Sequence, residues 1–465
     1  MSSSFRILKV LERPTISGII YTWLDSQSAK QTLFFLPGNE SIKPINFALV
    51  LSFKSSKSTI KYTYVAETKM KFNHIAAAIV IVLGAPAYAQ GTGPVRIGMI
   101  TDMSSLYADI DGQAGTEMVK WAVEDFGGKV LNRPIEVLTA DHQNKADVAS
   151  SKAREWIDKE GLSMLIGGAN SGTSLAMAKI TAEKKVPFFS IGAGSARLTN
   201  ENCTPYTVHY AYDTVALAKV AGTALVKSGA KNWFFLTADY AFGYSLEGDA
   251  TNVVKTNGGT VVGAVRHPLN TPDFSSFLLQ AQSSKAQVLA LANAGGDFTN
   301  AMKAAKEFGI NKTMKIAGLL VFINDVHSLG LANTEGLQLA DSWYWNQDDA
   351  SRKFAKRFFD KYKRMPSSLQ AADYSAATNY LKAVQIAGTT DGDKIMSTLK
   401  SMKIDDFYNK GQIRADGRMI HDMYLFQVKS VKESTTPWDY YKLVAKIPGD
   451  QAFTSVAESK CNLKQ

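Results

Sequence analysis

Cysteine is almost missing from this chain of 465 residues: there are two, Cys203 and Cys461. Histidine is scarce too. Five histidines, at 142, 209, 267, 327 and 421, are scattered beyond residue 90 without the spacing of a metal-ligand set, so no metal site is expected. No Gly-Lys-Ser/Thr phosphate loop occurs. No G-x-S-x-G elbow surrounds Ser171, which leaves serine hydrolase chemistry without support. Gly192-Ala193-Gly194 starts like a dinucleotide fingerprint, but Arg197 stands where the third glycine belongs. No pair of carboxylates stands out as an acid/base couple. These absences point away from an enzyme and away from a bound cofactor. Beyond residue 90, no apolar run is long enough to span a membrane.

Positive charge looks abundant but is concentrated at one end. The chain carries 52 basic and 42 acidic residues, net +10; residues 1–89 hold 10 basic and 4 acidic, leaving 42 against 38. That balance gives no ground for nucleic-acid binding. Within the basic end, MKFNHIAAAIVIVLGAPAYAQ begins at Met70. Lys71 and His74 form a basic start. Ile75 to Leu83 is an apolar run too short for a bilayer core of about 30 Å at about 1.5 Å per residue. Ala87-Tyr88-Ala89 has the small-x-small pattern of a cleavage site. Residues 70–89 therefore read as an export signal, with the mature chain starting at Gln90 in the periplasm. Residues 1–69 show no domain pattern and are expected to be a disordered extension ahead of a true start at Met70. In an oxidising compartment, the two cysteines are expected to form a disulfide tying the tail to the body.

From Val95 onward, apolar strand-like runs alternate with helical patterns. VRIGMI (95–100), IEVLTA (135–140), SMLIGG (163–168) and PFFSIG (187–192) enclose helices near 116–126, 146–160 and 173–184. The rhythm restarts after residue 212 with NWFFLTA (232–238), TVVGAV (260–265), QVLALA (287–292) and KIAGLL (315–320). Continuous apolar strands between helices predict parallel sheets covered on both faces. The predicted fold class is α/β: two doubly wound parallel-sheet lobes joined by a multi-strand hinge. The expected division is 90–207 for the first part of lobe 1, 208–340 for lobe 2, 341–420 for a return to lobe 1, and 421–465 for C-terminal strands and tail. Several crossovers between two lobes make a hinged clamp.

In such lobes, ligands bind beyond the carboxyl ends of the strands. ANSGTS (169–174) follows the third strand, and its hydroxyls at Ser171, Thr173 and Ser174 sit at a helix start, a setting for an anion or for a plain N-cap. Gly192, Gly194 and Ser195 follow the fourth strand and allow close approach to backbone amides. Aromatic residues recur after strands: Tyr107, Tyr240 and Phe242, Phe322, and Trp343 to Trp345. Singly, each is as easily core as contact; their shared position favours a cleft.

Taken in order, GMITDMSSLYADIDGQAG, EDFGGKVLNRPIEVLTADHQNKAD, GGANSGTS, SIGAGSARLT, TADYAFG and GQIRADGR resemble the periplasmic solute-binding proteins of the branched-chain amino acid type (type I), over about residues 95–460. The resemblance implies a monomer without enzymatic activity that captures a small solute between two lobes and delivers it to ABC transporter permease subunits. It assigns the grip on a ligand carboxylate to Ser171. Backbone help comes from Gly192 and Gly194, with Ser195 standing in for a threonine that relatives carry at 194. Phe242 becomes a cover from the other lobe. The departure lies at AGLLVF, where amino-acid binders tend to have an acidic residue near Leu320 to pair with an ammonium. A buried, unpaired ammonium costs several kcal/mol. An organic acid without an amine is therefore expected. Tyr107, Phe242 and Phe322 beside Leu320 favour an aromatic one, a benzoate or cinnamate derivative. The alternatives are an amino acid, an amide or an aliphatic acid, or a periplasmic ligand sensor.

Overall fold

The computed structural model describes residues 93–463 in full and, before them, the backbone of three strands. Those strands, Ile20–Asp25, Phe47–Ser55 and Ser58–Ala66, form an antiparallel sheet with the third in the middle. STIKYTYVA alternates Ile60, Tyr62 and Tyr64 with smaller or polar residues, a period-2 strand pattern that the serine- and lysine-rich composition masks. The export signal at 70–89 and the start at Gln90 lie outside the described residues. Residues 91–465 form a compact unit of their own.

Lobe 1 is built on a six-stranded sheet in the order 129–130, 133–141, 95–101, 162–167, 188–190, 207–209. Every pairing is parallel except that of the short edge strand Lys129–Val130. Leu162–Gly167 is buried on both faces, which is why its run is continuously apolar. Arg133–Asp141, close to the edge, alternates partly buried and exposed positions instead. Lobe 2 repeats the scheme with four parallel strands in the order 260–267, 232–238, 288–292, 315–318. Both lobes are thus doubly wound, as expected.

The chain then returns. Helices Asp349–Tyr362 and Ser368–Ala387 pack on lobe 1, where Lys361 pairs with Glu117 and Arg357 with Asp125. The second helix starts at a reciprocal cap: Gln370 N–H donates to Ser367 Oγ, and Ser367 N–H to Gln370 Oε1. Helix Gly392–Ser401 and strands Lys403–Asp405, Lys410–Ile413 and Met419–His421 were not anticipated, and strand Tyr441–Ile447 lies in the stretch expected to hold C-terminal strands without having been placed there. These strands are short or partly exposed, and so lack a continuous apolar run. Strands Gln338–Asp341, Met423–Val428 and Tyr441–Ile447 form an antiparallel sheet whose Leu339, Phe426 and Tyr441 share a core with Phe234, Leu236 and Phe298 of lobe 2.

One side chain pins the crossovers. Arg418 is fully buried and donates to the carbonyls of Tyr210, Tyr212 and Met419, with its guanidinium over the Phe453 ring. The hydrogen bonds fix one crossover against the strand that begins another. Cys203 and Cys461 are joined in a disulfide, as expected, across a sequence separation of 258 residues.

Candidate functional site

Three loops from each lobe meet at the carboxyl ends of the parallel strands. From lobe 1 these are residues 102–111, 168–170 and 191–195; from lobe 2, residues 239–240, 293–294 and 319–322. Several hydrogen bonds cross between the lobes. Tyr107 Oη and Tyr240 Oη are 2.7 Å apart, and so are Ser195 Oγ and Ser245 Oγ. Gly296 N–H donates to Leu106 O at 3.3 Å, and Asn324 Nδ2 to Asp109 O at 3.2 Å. The clamp is closed. Two surface hollows, of about 430 Å³ beside Arg154 and about 290 Å³ beside Tyr424, lie elsewhere.

Lobe 1 contributes the polar edge. Helix Ser171–Lys184 is capped by Asn170, whose side chain accepts from the N–H groups of Gly172 and Thr173. This narrows the expected anion setting, because a side chain already holds two of the helix-start N–H groups. Thr173 Oγ1 donates to Asn170 O, and Ser174 Oγ to Gly168 O, so both hydroxyls serve the loop itself. Ser171 differs. Its Oγ accepts from Ser195 N–H at 3.1 Å, which leaves its own proton to donate.

The neighbouring loop is held by its carbonyls. Tyr212 Oη donates to Gly192 O, His209 Nε2 to Ala193 O, and Thr214 N–H to Gly194 O. With three successive carbonyls engaged on the protein side, the remaining hydrogen-bonding capacity of the loop is in its N–H groups. Gly192 and Gly194 are both required by packing: a Cβ at 192 would lie 2.8 Å from Leu369 Cδ1, and one at 194 would lie 2.8 Å from Phe242 Cε2.

Lobe 2 contributes rings and aliphatic groups. Phe242, Leu320 and Phe322 are buried and belong to the same core as Tyr107 and Tyr212. Tyr240 lies 6.0 Å from Phe242 between ring centroids, and Tyr212 lies 6.2 Å from Phe322. Burial, then the Tyr240 hydroxyl, holds the Tyr107 phenol well above its ordinary pKa, so it stays a neutral donor. Carboxyls near the cleft are raised as well. Desolvation brings Asp297 to about 6, Asp341 to about 7 and Asp325 to about 8, although each accepts backbone hydrogen bonds. At about 8, Asp325 is mostly neutral at neutral pH, which lessens repulsion of an anion.

A family model of periplasmic binding proteins matches residues 94–434, most of the chain. The chain belongs to the periplasmic binding protein family. A periplasmic binding protein from Burkholderia mallei is 68% identical, with a TM-score of 0.80, over 81% of this chain and 100% of that one. A branched chain amino acid ABC transporter periplasmic ligand-binding protein from Burkholderia xenovorans LB400 is 40% identical, with a TM-score of 0.71, over 80% of this chain and 100% of that one. Leu/Ile/Val-binding protein homolog 6 of Brucella melitensis is 28% identical over 251 residues, 53% of this chain and 62% of that protein. The chain thus spans less than two thirds of that curated relative.

For this periplasmic binding protein, the sequence-derived residues fall into one place. Tyr107, Ser171, Gly192, Gly194, Ser195, Phe242, Leu320 and Phe322 all sit in or beside the six loops. Ser195 is committed twice, by its amide to Ser171 and by its hydroxyl to Ser245 across the cleft. Tyr212 and Ser245 were not singled out. Tyr212 lies in the crossover CTPYTVHYAYD, where a run of aromatics reads as core. Ser245 is one turn into a helix, past the loop on which sequence reasoning concentrates. Among the described residues, no cluster of three or more His, Cys, Asp or Glu could hold a metal, and no helix is long and apolar enough to cross a membrane.

Proposed function

We propose that the protein is the extracytoplasmic solute-binding component of an ABC import system and that it closes over a small aromatic carboxylate, such as a benzoate or cinnamate derivative. The observation that carries this is the pairing of opposite edges: the free hydroxyl proton of Ser171 and the amide side of loop 192–194 in lobe 1, against Tyr240, Phe242, Leu320 and Phe322 in lobe 2. Hydroxyl and amide donors suit a carboxylate. Rings and a leucine suit an apolar body without an ammonium. The buried carboxyls Asp297 and Asp325 each accept backbone N–H groups, from Asn270 and Thr271 and from Phe322. The export signal supports a periplasmic location, and the permease subunits of the transporter are the expected partners.

The alternative ligand is a branched-chain or polar amino acid, which the description of the 40%-identical relative favours. Thermal-shift and calorimetric titration with benzoates, cinnamates, aliphatic acids and leucine decide between them. Stabilisation by aromatic acids and not by leucine is expected; stabilisation by leucine and by no aromatic acid overturns the reading. Permease and ATPase genes beside this one would separate import from sensing.

A further inference from the structure

His267 and Asn293 form a relay at the carboxyl end of the lobe 2 sheet whose last atom is left unused. His267 is buried at the end of its strand, with Nδ1 2.8 Å from Pro268 O. A carbonyl oxygen can only accept, so the ring proton is on Nδ1. Burial lowers the pKa of His267 and keeps the ring neutral, which makes Nε2 an acceptor. Asn293 Nδ2 lies 3.1 Å from that nitrogen and donates to it. The orientation of the amide is thereby fixed, and Asn293 Oδ1 points away from the histidine. This oxygen is fully buried and has no hydrogen-bond partner among the described residues. A buried carbonyl without a partner is costly, and such an atom calls for a donor.

The place of Asn293 says where the donor comes from. The residue directly follows strand Val288–Ala292, and two residues later Gly295 lies against the Tyr107 ring, while Gly296 N–H donates to Leu106 O. The loop holding Asn293 therefore faces lobe 1 across the closed cleft. Thr237, paired in register with Ala292 on the adjacent strand, has a second buried oxygen without a partner among the described residues.

We infer that Asn293 Oδ1 reads a hydrogen-bond donor on the end of the ligand that lobe 2 receives, and that the ligand is therefore a hydroxylated aromatic acid, with its ring hydroxyl at the end away from the carboxylate. This rests on the reading that lobe 1 holds the carboxylate. An α-ammonium lies one carbon from its carboxylate and stays at the lobe 1 end. A phenolic hydroxyl across a ring is separated from the carboxylate by the body of the molecule and reaches the opposite lobe. His267 is a positioning residue, because it acts only by setting which end of the amide faces the ligand.

The test is calorimetric titration of the purified protein and its Asn293→Ala variant with benzoate, 3- and 4-hydroxybenzoate, 4-hydroxycinnamate and leucine. The wild type is expected to prefer a hydroxylated acid to benzoate by about 10-fold or more, since a site built around a ligand hydroxyl rejects the analogue lacking it. The variant is expected to lose that preference, because the ligand hydroxyl no longer meets an acceptor. Equal wild-type affinities for benzoate and its hydroxylated forms overturn the inference and leave the aromatic-acid reading standing. A preference that survives in the variant also overturns it. Binding of leucine with no aromatic acid overturns both. The wild-type series needs no mutant, so a variant that fails to fold does not rescue the inference.

Discussion

The two edges of the cleft are made of different material. In lobe 1 the loops are polar and short of freedom: Ser171, Ser195 and three successive carbonyls are tied to one another or to Tyr212, His209 and Thr214. In lobe 2 the loops between strands and helices bring rings and a leucine into the buried core they share with Tyr107 and Tyr212. An oxyanion can be held by a few donors only if those donors are already fixed, because ordering them on binding would consume the gain. An apolar body needs only shape and exclusion of water. On the proposed function, charge recognition falls to one lobe and recognition of the ligand body to the other, with closure needed for both at once.

The strongest way to break this division is to stop the lobes from meeting. Gly194→Val places a Cβ at 2.8 Å from Phe242 Cε2, across the closed clamp. Overpacking costs about 1–3 kcal/mol, and at the upper end weakens binding about 100-fold. Small-angle scattering of the variant should show no ligand-induced compaction, with melting unchanged within a few degrees. Compaction equal to wild type would mean that closure does not depend on this approach. A smaller effect is expected from Ser171→Ala. It removes a hydrogen bond to a charged group, worth about 1.5–3 kcal/mol, so affinity should fall about 30-fold for every carboxylate tested, aromatic or aliphatic. Phe242→Ala is smaller again and selective. Aromatic acids should weaken about 10-fold from lost ring contact, and short aliphatic acids hardly at all. If Ser171→Ala were selective by ligand body, or Phe242→Ala indifferent to it, the division between lobes would fail.

Much of the frame was legible because its signals are dense. Strand Asn232–Ala238 has the bounds that NWFFLTA predicts, since a strand buried on nearly all sides must be apolar throughout. Strand Met423–Val428 likewise coincides with MYLFQV. Strand Tyr441–Ile447 was illegible for the opposite reason: Leu443 and Val444 are exposed, so its pattern carries no consistent inward face. At the site, Ser171 could be named from its place after a strand, but its freedom to donate could not. That freedom depends on Asn170 capping the helix in its stead and on the Ser195 amide 24 residues away. The pinning of the crossovers by Arg418 is equally invisible in sequence, because GQIRADGR carries the family resemblance without showing a partner for Arg418, and only the fold brings the carbonyls of Tyr210 and Tyr212 to it.

The smallest expected effect concerns pH. The donor edge of lobe 1 is made of serine hydroxyls and backbone amides, which do not titrate near neutrality. Behind the Phe322 loop of lobe 2, Asp325 is buried and raised to about 8, first by desolvation and further by Asp109 from the opposing lobe. Its folded pKa lies above its unfolded one, so the folded state binds the extra proton. The contribution is fully present at low pH and is lost as pH rises from about 4 through about 8, and each tenfold difference in proton affinity between folded and unfolded chains is worth about 1.4 kcal/mol. Asp325→Asn keeps an acceptor for the Phe322 N–H and cannot ionise. The melting temperature of the wild type should therefore fall more between pH 5 and pH 9 than that of the variant, by a few degrees. Parallel curves would show that Asp325 ionises without penalty, and would remove the sensitivity to pH from the lobe 2 edge.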